Sequence, residues 1–191
     1  MLNLFLKLSL QMKIDFHLLH GIREKHPRFR AAKLRTNNDK GIECSGTGQD
    51  GSLQLGNPWP DPRFTVTGDV VHDRLTHLFW FKHADLTSAP VDWQQALESI
   101  ARWGDKRERD TIYWRLPTIN ELASLVDCEA CLPALPAEHP FTGVQPGYWT
   151  STTSFFETDW AWVLYLDKGA CGVGHKPGKT FHVWPVGWFR R

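Results

Sequence analysis

The sequence has no excess of charge of either sign and no long apolar run. Its 22 Lys and Arg residues nearly balance 21 Asp and Glu residues in a chain of 191. A global basic field of the kind that attracts nucleic acid or an anionic membrane is therefore absent. No segment approaches the roughly 18 consecutive apolar residues that a membrane-spanning helix needs. We expect neither a nucleic-acid partner nor a membrane span.

Cysteine is scarce, with only Cys44, Cys128, Cys131 and Cys171. These four residues allow three complete disulfide pairings, and the sequence does not choose among them. Cys128 and Cys131 form a Cys-x-x-Cys pair, which suits half a zinc site, a redox dithiol or a local disulfide. A zinc site needs two more ligands at suitable spacing, and neighbouring carboxylates oppose thiolate formation. We expect no bound metal and no cofactor.

Catalytic motifs are also missing, because no run spells out a nucleophile with its base or a phosphate-binding loop. Cys171 and His175 could be combined as a nucleophile and base. However, a small buried or free thiol is the commoner role of a single cysteine. We therefore predict no catalytic residues and a protein that is not an enzyme.

Tryptophan, by contrast, is abundant, with 10 residues against 3 tyrosines. Large aromatics beside turn-forming residues are typical of a loop-rich domain with scattered aromatic anchors. The aromatics stand in three short runs, Trp-Arg-Leu-Pro-Thr at 114–118, Tyr-Trp-Thr-Ser-Thr at 148–152 and Val-Trp-Pro-Val at 183–186. We assign structural roles to ten residues of these runs and their surroundings: Trp114, Arg115, Leu116, Pro117, Thr118, Glu121, Trp149, Ser151, Trp162 and Trp184.

Together with upstream runs, these motifs resemble a large bacterial family related to the C-terminal domain of the Legionella collagen-like adhesin. The upstream runs occupy residues 44–51, 59–64, 75–80 and 93–97, in the order that the family shows. Each run is short, and the resemblance depends on the order in which they follow one another. It covers about residues 42–191.

The resemblance implies a C-type-lectin-like fold, related to the variant found in formylglycine-generating enzymes and in variable proteins of diversity-generating retroelements. It places the domain at 42–191, behind an N-terminal extension at 1–41 whose second half is a basic linker. Family members are commonly secreted, periplasmic or displayed at the cell surface. The first residues here do not form a clear signal peptide, so the localisation stays open.

Local patterns independently favour an α+β domain with two helices and small antiparallel sheets. Asp92 is a helix N-cap before an apolar face of Trp93, Ala96, Leu97, Ile100 and Ala101. Thr118 and Glu121 form a capping box at the start of a second helix.

Strands are predicted at 64–66 and 78–81, joined by a turn at 68–69. Later strands are predicted at 160–167, 172–175 and 181–186, with the last two linked by a hairpin at 177–179.

In C-type-lectin-like domains the loops between late strands often form the ligand surface, which here means residues 154–159 and 169–179. Phe155 and Phe156 are adjacent, so at least one is expected to face solvent. Trp160 points to the same side of the predicted strand as Trp162, so it could instead face the core. The predicted ligand-binding residues are Phe155, Phe156, Asp159, Trp160, Tyr165, Asp167, His175 and Lys176.

The function implied by the resemblance is non-enzymatic binding of a carbohydrate, such as a glycosaminoglycan, or of a partner protein in adhesion. A sulfated glycan would need clustered cations, which His175, Lys176, Lys179, Arg190 and Arg191 could supply. Calcium is not assumed, because the tripeptides of calcium-dependent lectins are missing. Alternatives are a protein-interaction domain, a variable binding protein of the retroelement kind and an oxidase of the formylglycine-generating kind.

Overall fold

The computed structural model describes residues 48, 56–107 and 111–189. The chain divides into two units, Met1–Gly56 and Asn57–Arg191, and every helix and strand given below lies in the second. The predicted extension at 1–41, the domain boundary at 42 and Cys44 fall outside the described residues.

The described residues of this unit form eight strands and two helices. In chain order they are β1 (Phe64–Thr67), β2 (Val70–Asp73), β3 (Phe79–Phe81), α1 (Trp93–Asp105), β4 (Ile112–Arg115), α2 (Ile119–Ala123), β5 (Gly147–Thr153), β6 (Trp160–Tyr165), β7 (Ala170–His175) and β8 (Val186–Phe189). One antiparallel sheet has the order β1-β2-β3-β8-β4, and a second has the order β5-β6-β7. The prediction of a mixed domain with two helices and antiparallel sheets is confirmed at this level.

The early strands differ from the prediction in their connection. The turn at Gly68 joins β1 to β2, and β2 then pairs with β3. The sequence analysis did not predict β2. Gly68 has a φ of 58°, a conformation that favours glycine and suits a tight hairpin turn.

The predicted hairpin at 177–179 is wrong. β7 and β8 belong to different sheets, because β8 is inserted between β3 and β4. Between them, Phe181 forms an isolated bridge with Val91, and His182 forms one with Tyr148. The segment after β7 therefore crosses from one sheet to the other.

Both predicted helix caps are confirmed. The Asp92 side chain accepts a hydrogen bond from the Gln95 backbone N–H at 2.8 Å, and the Gln95 side chain accepts from the Asp92 N–H at 3.2 Å. On α1, Ala96 and Ile100 are buried, whereas Ala101 is exposed, contrary to the predicted face. At α2, Thr118 and Glu121 form the reciprocal capping box.

The core contains two clusters of buried side chains. Trp184 lies in the first, within 5.4 Å of the Trp80 ring and 4.7 Å of the Phe141 ring. Trp149 lies in the second, and its indole N–H donates to the Val91 carbonyl at 2.8 Å. Trp114 is also buried, so these tryptophans stabilise the domain mainly through apolar burial and ring packing.

Trp162 is not buried like these tryptophans, although the strand predicted at 160–167 was expected to turn it toward the core. Its neighbours Ala161 and Val163 enter the second cluster, while Trp162 itself is 36% exposed. The opposite face of β6 becomes buried only at Leu164, which belongs to the first cluster. The second half of β6 is thus buried on both of its faces. Buried and exposed residues do not alternate there as they would on a strand with one exposed face.

In the part of the chain that the structure describes, neither helix has the length and apolar character required to cross a bilayer.

Candidate functional site

The Trp-Arg-Leu-Pro-Thr run links β4 to α2 through internal contacts. The Arg115 guanidinium donates to both carboxylate oxygens of Glu121, with one N–O distance of 2.7 Å. Glu121 also accepts from the Thr118 backbone N–H at 2.8 Å. The Pro117 carbonyl accepts from the Ser151 backbone N–H at 2.8 Å, which attaches this run to β5. These contacts fix the helix against the second sheet and leave the run little freedom for ligand contact.

Glu121 makes stability sensitive to acid. Burial opposes its ionisation, but hydrogen bonds from Arg115 and Thr118 outweigh this and lower the pKa below the usual 4.5. A lowered pKa stabilises the fold fully above the unfolded value, and this contribution is lost as the pH falls through the folded value. We expect Glu121→Gln to be less stable than the wild type at pH 7. The difference should shrink below about pH 4.5 in urea titrations, and a gap that stays constant would contradict the assignment.

At one end of the three-stranded sheet, the loop between β5 and β6 exposes two adjacent phenylalanines. Phe155 is 89% exposed and Phe156 is 92% exposed, and their ring centroids lie 5.6 Å apart in an edge-to-face arrangement. The backbone at the base of this loop is fixed, because the Ser154 N–H donates to the Trp160 carbonyl at 2.8 Å. Two large apolar side chains therefore project from a loop that is closed at its base.

Asp159, Trp160 and His175 lie beside this loop. The His175 Nε2 atom is 3.3 Å from the Asp159 Oδ2 atom, and both side chains are partly exposed. Trp160 is the register partner of His175, and their ring centroids are 5.3 Å apart. Trp160 is only half-buried, so part of it faces outward, beside the loop.

Lys176 connects the loop, β5 and α1. Its ammonium group donates to the Thr153 hydroxyl at 2.9 Å and to the Thr158 carbonyl at 2.8 Å. The same nitrogen lies 4.1 Å from the centre of the Trp93 ring, a cation–π contact. The Lys176 backbone N–H adds a bond to the Asp159 carbonyl at 2.9 Å. Although the sequence suggested a ligand contact, most of its bonding capacity is used within the domain.

Trp162 and Val173 extend the exposed apolar area along the sheet. They are register partners on β6 and β7, and they are 36% and 38% exposed. Sequence reasoning missed Val173 and placed Trp162 in the core. Trp162 lies two residues after Trp160, and Val173 lies two residues before His175. Residues at this spacing point to the same side of a strand, so the sequence could have indicated that the four share one face of the sheet. We call the following set the aromatic surface: Phe155, Phe156, Trp160 and Trp162, with Val173 beside them and Asp159, His175 and Lys176 as its polar rim.

Two predicted ligand residues lie elsewhere. Tyr165 is five residues from Trp160 along β6, or roughly 17 Å at the rise of an extended strand. It packs against Phe181, with ring centroids 5.7 Å apart. Asp167 follows Tyr165, and its carbonyl accepts from the Leu132 N–H at 2.9 Å. The predicted patch is therefore not one continuous surface, and six of its eight residues lie on or beside the loop between β5 and β6.

The thiol–imidazole pair considered in the sequence is not assembled. Cys171 and His175 are four residues apart on β7, which separates them by roughly 13 Å along an extended strand. Cys128, Cys131 and Cys171 are free and exposed. Within residues 48, 56–107 and 111–189, no three His, Cys, Asp or Glu side chains are grouped to hold a metal ion. Arg190 and Arg191 of the predicted cation cluster lie outside the described residues.

A family model described as the Lcl C-terminal domain matches residues 69–187. The chain belongs to this family. The match runs from the turn after β1 into β8 and contains the whole aromatic surface, so the resemblance predicted from the tryptophan runs is confirmed. The Lcl C-terminal domain is an adhesin-type domain. No curated protein and no solved structure gives a significant match.

Proposed function

We propose that this Lcl C-terminal domain is a non-enzymatic binding domain that recognises carbohydrate through the aromatic surface. The observation that carries the proposal is the near-complete exposure of Phe155 and Phe156 on the loop that leads into β6, the strand on which Trp160 and Trp162 are partly exposed. Soluble proteins rarely expose grouped large apolar side chains without a binding role.

The chemistry of the surface suits a sugar. A pyranose ring has an apolar face of C–H groups, which packs on flat aromatic side chains, and hydroxyl groups at its edge. The rim offers a partly exposed carboxylate at Asp159 and a partly exposed imidazole at His175 for those hydroxyls. Few, well-placed polar groups around an apolar contact area are typical of small-ligand sites.

A C-type-lectin-like fold is part of this proposal. Two helices, two antiparallel sheets and a ligand surface on a loop between late strands are consistent with it. Fold alone does not define a function, so the carbohydrate assignment depends on the surface and not on the architecture.

The test is a glycan array with the 191-residue chain, with and without calcium. Phe156→Ala and Trp162→Ala should each weaken binding by about fivefold or more, since an aromatic contact contributes about 1 kcal/mol beyond its burial. Phe189→Ala is the matched control, because Phe189 is 58% exposed but belongs to the other sheet. A folded protein whose glycan binding is the same in all three variants would refute the proposal.

Recognition of a partner protein is the second candidate. The two phenylalanine side chains carry no polar atoms, and exposed apolar anchors of this kind also form the centres of protein interfaces. A blank glycan array with folded protein, followed by a pull-down that Phe156→Ala abolishes and Phe189→Ala does not, would favour this candidate.

A further inference from the structure

We propose that Cys128 and Cys131 form a thiol–disulfide exchange site, whose disulfide fastens the loop at 127–134 to the segment that follows β6. Both thiols are free and exposed. Phe155 and Phe156 lie before β6, whereas this loop contacts residues after that strand. Pairing of the thiols therefore does not depend on carbohydrate binding at the aromatic surface.

The loop is closed at its base and attached to the second sheet by backbone hydrogen bonds. The Asp127 N–H donates to the Ala134 carbonyl at 3.1 Å. The Ala134 N–H donates to the Leu166 carbonyl at 2.7 Å, and the Leu132 N–H donates to the Asp167 carbonyl at 2.9 Å. The chain thus leaves and returns at one point, with both cysteines in between.

A tight turn within the loop folds the chain back around the two cysteines. The Ala130 N–H donates to the Asp127 carbonyl at 3.1 Å, and the Asp127 carboxylate accepts from the Glu129 N–H at 2.9 Å. Cys128 and Glu129 both have negative φ, as a type I turn requires. Such a turn brings its first and fourth Cα atoms to within about 7 Å, and Cys131 follows directly after the fourth residue. A disulfide needs a similar Cα separation, about 4.4 to 6.8 Å.

The third described cysteine is placed differently. Cys171 lies within β7, where it is held in register with Leu164. Cys44 lies outside the described residues. Cys128 and Cys131 are therefore the two described cysteines that share one loop, and the short segment between them gives each thiol a high effective concentration for the other.

The reaction is exchange with a small disulfide such as oxidised glutathione. One cysteine thiolate attacks this disulfide, forms a mixed disulfide and releases one reduced glutathione. The second cysteine then attacks the protein sulfur of the mixed disulfide and releases another. Two protein thiols are oxidised and one glutathione disulfide is reduced, and the two thiol protons end on the two glutathione thiols. The carboxylates of Asp127 and Glu129 offer no stabilisation to a thiolate, so the disulfide should persist once formed.

The position of Glu129 between the two cysteines allows a direct test. The 191-residue chain is equilibrated with reduced and oxidised glutathione, the remaining thiols are alkylated, and the denatured protein is cleaved after glutamate without reduction. In the monomer band of a non-reducing gel, a disulfide between Cys128 and Cys131 joins the fragments on the two sides of Glu129. We expect this linked product in the wild type and in Cys171→Ser, and its loss in Cys131→Ser.

The folded loop should promote the bond beyond what sequence spacing alone provides. We expect the equilibrium constant with glutathione to be at least about tenfold larger in the folded protein than in concentrated urea, because the backbone bonds hold the turn in place. Asp127→Ala removes the side-chain contact with Glu129 and should lower the folded value by about threefold. Asp69→Ala changes an exposed acid on another turn and should leave this value within about 1.5-fold.

Pairing should also stiffen the loop, whose exposed tip includes Leu132 at 80% exposure. We expect amide hydrogen exchange of Leu132 and Ala134 to be at least about threefold slower in the disulfide form than in Cys131→Ser, because local opening must then move a cross-linked segment. Val186 in β8 is the control amide and should exchange equally in the two proteins.

Several outcomes would overturn the proposal. Disulfides from Cys128 or Cys131 to Cys171 or Cys44 would show that the loop does not pair within itself. Separate glutathione adducts on both cysteines at equilibrium, or an equilibrium constant no larger than in urea, would show that the folded loop holds the thiols apart. Equal exchange of the loop amides in the two forms would refute the fastening of the loop.

Discussion

Replacing Asp73 with Ala is expected to lower the free energy of unfolding by about 3 to 5 kcal/mol, the usual effect of removing one partner of a buried ion pair. Arg63 and Asp73 form a two-pronged contact, with N–O distances of 3.1 and 2.9 Å, and their side chains are 6% and 0% exposed. The Asp73 carboxylate also accepts from the Leu75 N–H at 2.9 Å and from the Thr76 hydroxyl at 3.0 Å.

The large effect has a physical cause in the partner that remains. Without Asp73, the Arg63 guanidinium stays charged and buried, with its Nη2 atom donating only to the Ser124 carbonyl at 2.7 Å. Urea unfolding followed by tryptophan fluorescence measures the loss. Asp69→Ala is the matched control, because Asp69 is 71% exposed and lies 3.9 Å from Arg107. That control should cost less than about 1 kcal/mol. Equal losses in the two variants would contradict the prediction.

Trp184→Ala is expected to cost about 3 to 5 kcal/mol, the range for deleting a large buried aromatic side chain. Trp184 is fully buried and contacts Trp80, Phe141 and Tyr148, with ring centroids between 4.7 and 5.4 Å away. Its indole N–H donates to the Phe81 carbonyl at 2.9 Å, so the substitution also leaves a buried acceptor without that bond.

Trp188→Ala provides the comparison within the same segment. Trp188 is 40% exposed, and its ring lies under the Arg115 guanidinium at 4.5 Å. We expect a loss of no more than about 1.5 kcal/mol, from exposed ring contacts alone. Thermal and urea unfolding of the two variants should therefore differ clearly. A Trp184→Ala protein as stable as Trp188→Ala would show that the first core cluster tolerates the cavity.

The sequence predicted those features that depend on neighbours within a few residues. The caps at Asp92 and Thr118 follow from a side-chain oxygen placed at the start of an amphipathic segment, and the structure contains both. The exposure of Phe155 and Phe156 was partly predictable, because adjacent residues on an extended chain point to opposite sides.

Features set by distant parts of the chain were not predictable. A strand predicted at 181–186 was placed in a hairpin with the strand at 172–175, whereas the strand in this region, β8, begins only at Val186 and pairs with β3 and β4. Local alternation contains no information about such a partner. Trp162 was assigned to the core because periodicity assumes one buried face, and β6 has both faces covered at its second half. The role of Lys176 was missed because its contacts with Thr153 and Thr158 exist only after the loop has folded back.

The insertion of β8 between β3 and β4 has a consequence for synthesis on the ribosome. β3 ends at Phe81 and β4 at Arg115, but neither finds its central neighbour until Val186–Phe189 has been made. During translation, β4 and the edge of β3 that faces away from β2 have no strand partner while the intervening segments emerge. Such long-range pairing slows folding and extends the time in which chaperones can engage these edges. β1, β2 and β3 can therefore pair in the order of their synthesis, whereas the five-stranded sheet is completed only after its last strand has been translated.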